Sequence, residues 1–279
     1  MSWYDRSGHR TGPVLAAGRY RQAALSPDGR YAAIEKLEES SNLWGIWLLD
    51  LSSGILSRFS DTAFENSDPV WSPDGRQIAF ASNRRGTLDV FRQAVGSSTA
   101  QAVWADSERK VPEVWLKDGT ILFTTATGKN AFLIPQDGHG PPQRVFETSY
   151  TTDEPSVSPD GHWIALGSFE TGRWEVYIAS FPGFTDKRQV SKDGGGGPRW
   201  RGDGKELYFL DPTGNMMAVD FKPGPETGPP HRLFGTDVHF NPLWDQYGVT
   251  GSRFLVAEPT RDPQKPISVV LNWLEPLGH

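Results

Sequence analysis

Val70-Trp71-Ser72-Pro73-Asp74-Gly75-Arg76-Gln77-Ile78-Ala79-Phe80 reads as a strand, a tight reversal and a second strand. Pro73 presets φ for the first central position of a turn, Asp74 can bond the backbone just ahead of it, and Gly75 accepts the positive φ that closes the reversal. The reversal returns as Ser26-Pro27-Asp28-Gly29 and Ser158-Pro159-Asp160-Gly161. Leu116-Lys117-Asp118-Gly119 and Arg201-Gly202-Asp203-Gly204 keep the Asp-Gly, and Val249-Thr250-Gly251-Ser252 keeps the glycine alone. The glycines at 29, 75, 119, 161, 204 and 251 lie 46, 44, 42, 43 and 47 residues apart. One four-stranded blade of a propeller takes that length of chain.

Behind each reversal runs an alternating strand. Ala32 and Ile34, Ile78 and Phe80, Ile121 and Phe123, Ile164 and Leu166, Leu207 and Phe209, and Phe254 and Val256 take equivalent places on one face. The residues between them are also mostly apolar, so this strand is expected to be buried on both faces, as it would be between neighbouring blades. Third strands are expected at Leu43–Asp50, Leu88–Gln93, Ala131–Pro135, Trp174–Ala179, Met216–Asp220 and Ile267–Trp273, all but the last followed by a more polar outer strand. No sustained three-and-four apolar spacing supports a long helix. The pattern predicts an all-β fold: one six-bladed β-propeller over residues 1–279, with four-stranded antiparallel blades. Trp3–Leu15, turning at Ser7-Gly8, is expected to pair beside Ile267–Trp273, so that N- and C-terminal strands share the last blade and close the ring.

Composition agrees with many short strands and frequent turns: 11 Trp, 30 Gly and 22 Pro in 279 residues. The net charge of −6 argues against nucleic acid and anionic lipid as partners. Cysteine is absent, which removes disulfides, thiolate nucleophiles and cysteine-bound zinc. No stretch approaches the roughly 20 apolar residues of a membrane span, and Met1–Arg10 has no signal-peptide pattern. The chain reads as a monomer.

Trp71-Ser72-Pro73-Asp74-Gly75 resembles the blade signature of the TolB-like propeller family. Trp3–Gly8, Asn42–Leu51, Ser82-Asn83-Arg84, Trp174–Tyr177, Pro198-Arg199-Trp200, Asp203–Leu207 and Val269–Trp273 resemble the C-terminal propellers of bacterial serine/threonine kinases, notably of acidobacterial type. The third repeat departs from the signature with Leu116-Lys117, and the last lacks the Asp. The resemblance implies a ligand-sensing or protein-docking module on the periplasmic or extracellular side of a membrane.

In a propeller, loops joining fourth to first strands share a rim with loops joining second to third strands, opposite the Asp-Gly tips. That rim is the expected binding mouth for an unknown protein, peptide or small molecule. Its candidates are Glu65, Asp68, Asn83, Arg84, Lys110, Asp153, Glu154, Arg173, Arg199, Asp245 and Tyr247. No catalytic motif is present: His9, His139, His162, His231, His239 and His279 have no paired metal spacing and adjoin no nucleophile motif. The chain is therefore read as a non-enzyme without cofactor. The alternative is a hydrolase or lyase acting on a sugar or peptide through Asp68, Glu154, Arg199 or Tyr247. Calcium at Asp68, Asp153 and Glu154 is the one metal the channel suggests. Trp71, Trp115 and Trp200 are expected to pack between blades. Gly194–Gly197 lacks the context of a phosphate loop and is expected to be a flexible loop.

Overall fold

The structure is a computed structural model that describes residues 1–15, 18–104, 106–136, 140–222, 227–238, 240 and 246–258. The chain opens with β1 (Ser2–Tyr4) and β2 (Arg10–Pro13). The next four strands are β3 (Tyr20–Leu25), β4 (Tyr31–Glu38), β5 (Leu43–Asp50) and β6 (Leu56–Arg58). Then come β7 (Asn66–Trp71), β8 (Gln77–Ser82), β9 (Asp89–Ala94) and β10 (Ala100–Trp104). The third set is β11 (Lys110–Trp115), β12 (Ile121–Thr125), β13 (Asn130–Ile134) and β14 (Gln143–Glu147). The fourth is β15 (Thr152–Val157), β16 (Trp163–Ser168), β17 (Glu175–Ser180) and β18 (Arg188–Gln189). The fifth is β19 (Gly196–Trp200), β20 (Glu206–Leu210), β21 (Asn215–Asp220) and β22 (His231–Gly235), followed by β23 (Tyr247–Thr250) and β24 (Arg253–Val256).

Each set forms a four-stranded antiparallel sheet, and a sixth sheet has the order β2-β1-β24-β23, with two strands from each end of the chain. The innermost strands β23, β3, β7, β11, β15 and β19 contact one another in that cyclic order, which makes the six-bladed propeller. The expected sharing of the last blade holds. Ser2, Trp3 and Tyr4 pair with Val256, Leu255 and Phe254, so the N-terminal strand lies beside the strand after the last turn. Ile267–Trp273 lies outside the described residues. Among the described residues there is no helix, and so none long and apolar enough to cross a membrane.

The second strands are buried on both faces because each blade packs against two neighbours. In β4, Ala32 and Ile34 join Trp3 and Leu255 of the closing blade, while Ala33 joins Ile78 and Phe80 of the following blade. Six such apolar clusters fill the six interfaces. Trp71 and Trp200 are core residues, each 8% exposed, and their indole N–H groups donate across the interface to the carbonyls of Ala24 (2.9 Å) and Ser156 (3.0 Å). Trp115 also packs against its interface cluster, beside Ile121 and Phe123, but it is half-buried and donates to Gly119 O of its own turn at 3.2 Å.

The tips form as their chemistry demands. Ser72 Oγ donates to Asp74 Oδ1 (2.6 Å), Gly75 N donates to Ser72 O (2.9 Å), and Gly75 sits at φ 67°. Where serine is missing, Arg201 donates from Nε to Asp203 Oδ1 at 2.7 Å. The tips gather at one end of the axis, with Gly75 beside Pro27 and Gly204 beside Pro159.

Candidate functional site

The inner strands enclose a central cavity of about 1030 Å³ that runs from Gly128 and Thr151 at one rim to Pro27, Pro73 and Pro159 at the tips. Its lower walls are apolar, with Ala24, Val70, Val114, Val157 and Val249. Charged side chains line the end opposite the tips, at Asp68, Arg109, Glu113, Asp153, Glu154 and Arg199, and the tip end at Lys117, Asp118 and Asp160.

A repeated distortion places these side chains. The register of the innermost strand shifts within β3, β7, β11, β15 and β19, each time over two or three residues. Such bulges re-aim side chains. In three blades the residue six positions before the turn Asp lies at this shift with a left-handed backbone: Asp68 at φ 54°, Glu154 at φ 46° and Gly197 at φ 65°. Pro follows each of them. Gln22 occupies the same place in the first full blade and also lines the cavity. Glycine is at ease in this conformation; Asp tolerates it poorly and Glu less well. Two carboxylates therefore stand at the mouth at a cost in backbone strain, a pattern that marks functional positions.

The mouth is wired across blades. Arg199 Nη2 donates to Glu154 Oε2 at 3.0 Å, and Tyr247 O–H donates to Gly197 O at 2.7 Å. A Cβ on Gly197 would lie 3.1 Å from Glu154 Oε2, so the glycine leaves room for that carboxylate. Ser67 Oγ donates to Asp68 Oδ2 at 2.6 Å, and Thr124 Oγ1 donates to Glu113 Oε1 at 2.6 Å. Behind the wall, Glu35 accepts the backbone N–H of Asp68 and the Nε–H of Arg21.

Of the sequence candidates, Asp68, Asp153, Glu154, Arg199 and Tyr247 come together around this cavity. The others serve elsewhere. Lys110 is 1% exposed and binds Asp89 (3.3 Å), Asp106 and the Glu108 carbonyl (2.6 Å), so its ammonium fastens one blade to the next. Arg84 stacks over Phe91 at 4.7 Å and donates to Ser82 and Asn66; burial lowers its pKa, opposed by Asp61. Asn83 accepts the Glu65 backbone N–H at 3.0 Å, joining two loops. Arg173 reaches Glu175 and the Lys192 carbonyl at 2.7 Å. Asp245 lies outside the described residues. Long cations near a rim satisfy buried carboxylates and carbonyls before they reach solvent.

Gly194–Gly197 is pinned, not flexible. Gly195 N donates to Trp174 O at 2.9 Å, Gly194 N donates to Glu175 Oε2 at 3.1 Å, and Gly196 and Gly197 begin β19. Cβ atoms there would lie 2.7 Å from Pro212, 2.7 Å from Phe209 and 2.0 Å from Phe240 at positions 194, 195 and 196. Arg109 lies in the Ser107–Lys110 connection expected at this rim, whereas Glu113, Gln22 and Glu35 escaped the sequence reading. The signal for Gln22 was present: aligning the repeats on the turn Asp sets it in one column with Asp68 and Glu154. Among the described residues, no group of three or more His, Cys, Asp or Glu is arranged to hold a metal ion.

A sequence model of the TolB beta propeller domain matches residues 6–195. The chain is 25% identical over 219 residues to an uncharacterised peptidase, YuxL, of Bacillus subtilis, covering 75% of this chain and 31% of that protein. It is 23% identical over 161 residues to the Tol-Pal system protein TolB of Francisella tularensis, covering 56% of this chain and 37% of the other. The chain thus spans about a third of the length of these curated relatives. Among solved structures, a putative TolB from Agrobacterium tumefaciens superposes with a TM-score of 0.70 at 16% identity, over 91% of this chain and 95% of that one. A puromycin-hydrolysing peptidase of Mycobacterium tuberculosis gives 0.64 at 18% identity, over 87% and 43%. At such identities the structural likeness speaks of fold alone.

Proposed function

Because the chain belongs to the TolB beta propeller domain family, we propose that it is a non-catalytic binding module whose channel mouth takes a peptide, a partner protein or a small molecule. The observation that carries this reading is the pair of carboxylates, Asp68 and Glu154, held in a left-handed backbone at the mouth where Gly197 sits in a third blade. Strain of this kind is retained where a side chain is needed at a position that packing alone would give to glycine. The similarity to YuxL supports an accessory role, since it reaches 31% of that protein's length. The resemblance to kinase-appended propellers extends the reading to the sensor part of a signalling protein, facing the periplasm or the exterior.

A thermal-shift screen of peptides, small molecules and calcium tests it, run on the parent and on the double variant Asp68→Asn, Glu154→Gln. A binder should raise the melting temperature of the parent and lose at least about tenfold in affinity in the variant, a loss of roughly 1.4 kcal/mol. Hydrolytic or lyase turnover that disappears in that variant, with no ligand found, would replace this reading with the enzymatic one.

A further inference from the structure

Glu35, on β4, has no exposed surface and meets two other elements at once. Its Oε2 accepts the Arg21 Nε–H from β3, and its Oε1 accepts the backbone N–H of Asp68 at the β7 bulge. Across β5 the facing residue is Ile46, buried and apolar. Asp68 and Arg21 are the charged groups that act most strongly on this carboxyl. The other side of the Arg21 guanidinium lies 4.1 Å from the Trp44 ring, so it is anchored toward Glu35. One buried carboxyl thus stands between a fixed cation and the strained residue that carries a mouth carboxylate.

We propose that Glu35, Arg21 and Asp68 form a proton-operated latch in the channel wall, in which the charge on Glu35 sets how firmly the Asp68 bulge is held and how negative the mouth is. Burial first, and the Asp68 carboxylate second, push Glu35 up to about 7 against the pull of Arg21. With the proton on, Arg21 faces a neutral acid and the Asp68 N–H bonds a neutral oxygen. With the proton off, both bonds become charge-assisted and tighten, while the two carboxylates repel. The bulge is then gripped harder and the wall gains one negative charge. Positive charge brought against Asp68 expels the proton, because proton and cation compete through the same repulsion. The latch rests on wall geometry and needs no ligand, so it stands or falls separately from the binding reading.

Carboxyl-carbon NMR of the full chain, labelled at Glu and Asp and titrated from about pH 5 to about pH 9, tests it. One glutamate resonance, missing in Glu35→Gln, should titrate near neutrality, and in Asp68→Asn its midpoint should fall by about one pH unit. The Asp68 amide proton, followed in the parent, should shift with the same midpoint and keeps the test available should Glu35→Gln fail to fold. A Glu35 resonance that stays flat over this range, an Asp68 amide that ignores the transition, or a midpoint unchanged in Asp68→Asn would each overturn the latch.

Discussion

Asp68 holds a carboxylate where a glycine would be more comfortable, and the two demands can be separated. Asp68→Gly keeps the N–H that Glu35 accepts, relieves the φ of 54° and removes the carboxylate that opposes Glu35 ionisation. It should raise stability by on the order of 1 kcal/mol, about 2 °C in Tm by calorimetry, while weakening the binding proposed for the mouth. Glu35 itself gives a pH signature. Its folded pKa is raised above the unfolded value, so its contribution is fully present below about 4.5 and is lost as pH rises through about 7. Glu35→Gln should therefore flatten the fall in Tm that the parent shows across that window. At this scale the sequence was half legible. Asp68 and Glu154 could be placed at the mouth from blade topology, yet nothing in an Asp-Pro or Glu-Pro pair announces a left-handed backbone. The duty of Lys110 was harder to read: besides Asp106 and the Glu108 carbonyl close by in sequence, it holds Asp89, 21 residues away on another strand.

Strands were easier to read than side-chain duties. Leu43–Asp50 is β5 to the residue, and the next four expected third strands agree with β9, β13, β17 and β21 to within a residue or so at either end. Each of these runs carries an apolar centre between recognisable turns. The inner strands were harder because a bulge changes their direction without changing their composition. β19 shows how far packing can override propensity: glycine is a poor strand former, but here the ring of Phe240 occupies the space a Cβ would need. Gly196→Ala should destabilise the protein by about 1–3 kcal/mol in urea unfolding, through overpacking and not through backbone strain.

The ring as a whole is closed by a seam between the ends of the described chain. Glu258 accepts bonds from Ser2 Oγ (2.6 Å), Arg10 Nη2 (2.8 Å) and the Tyr4 hydroxyl, so one carboxylate clasps both N-terminal strands. Deleting residues 1–16 should lower Tm sharply in a thermal melt, since it removes half of a blade and bares the edge of β24. Glu258→Ala should cost about 1–3 kcal/mol by the same measurement, leaving partly buried donors without their acceptor. The sequence indicated that the two termini would share a blade. It named Ile267–Trp273 as the neighbour, outside the described residues, and did not show that β1 pairs with Arg253–Val256, a contact that spans nearly the whole chain.

That seam also fixes how the molecule answers to force. Ser2 lies opposite Val256 and Tyr4 opposite Phe254, so tension applied through Ser2 and Val256, at one end of the seam, pulls neighbouring residues directly apart. The rungs between them would open one after another, as a zip does, instead of sharing the load. A tethered molecule should consequently part first at this blade, under little tension, while the other five stay intact.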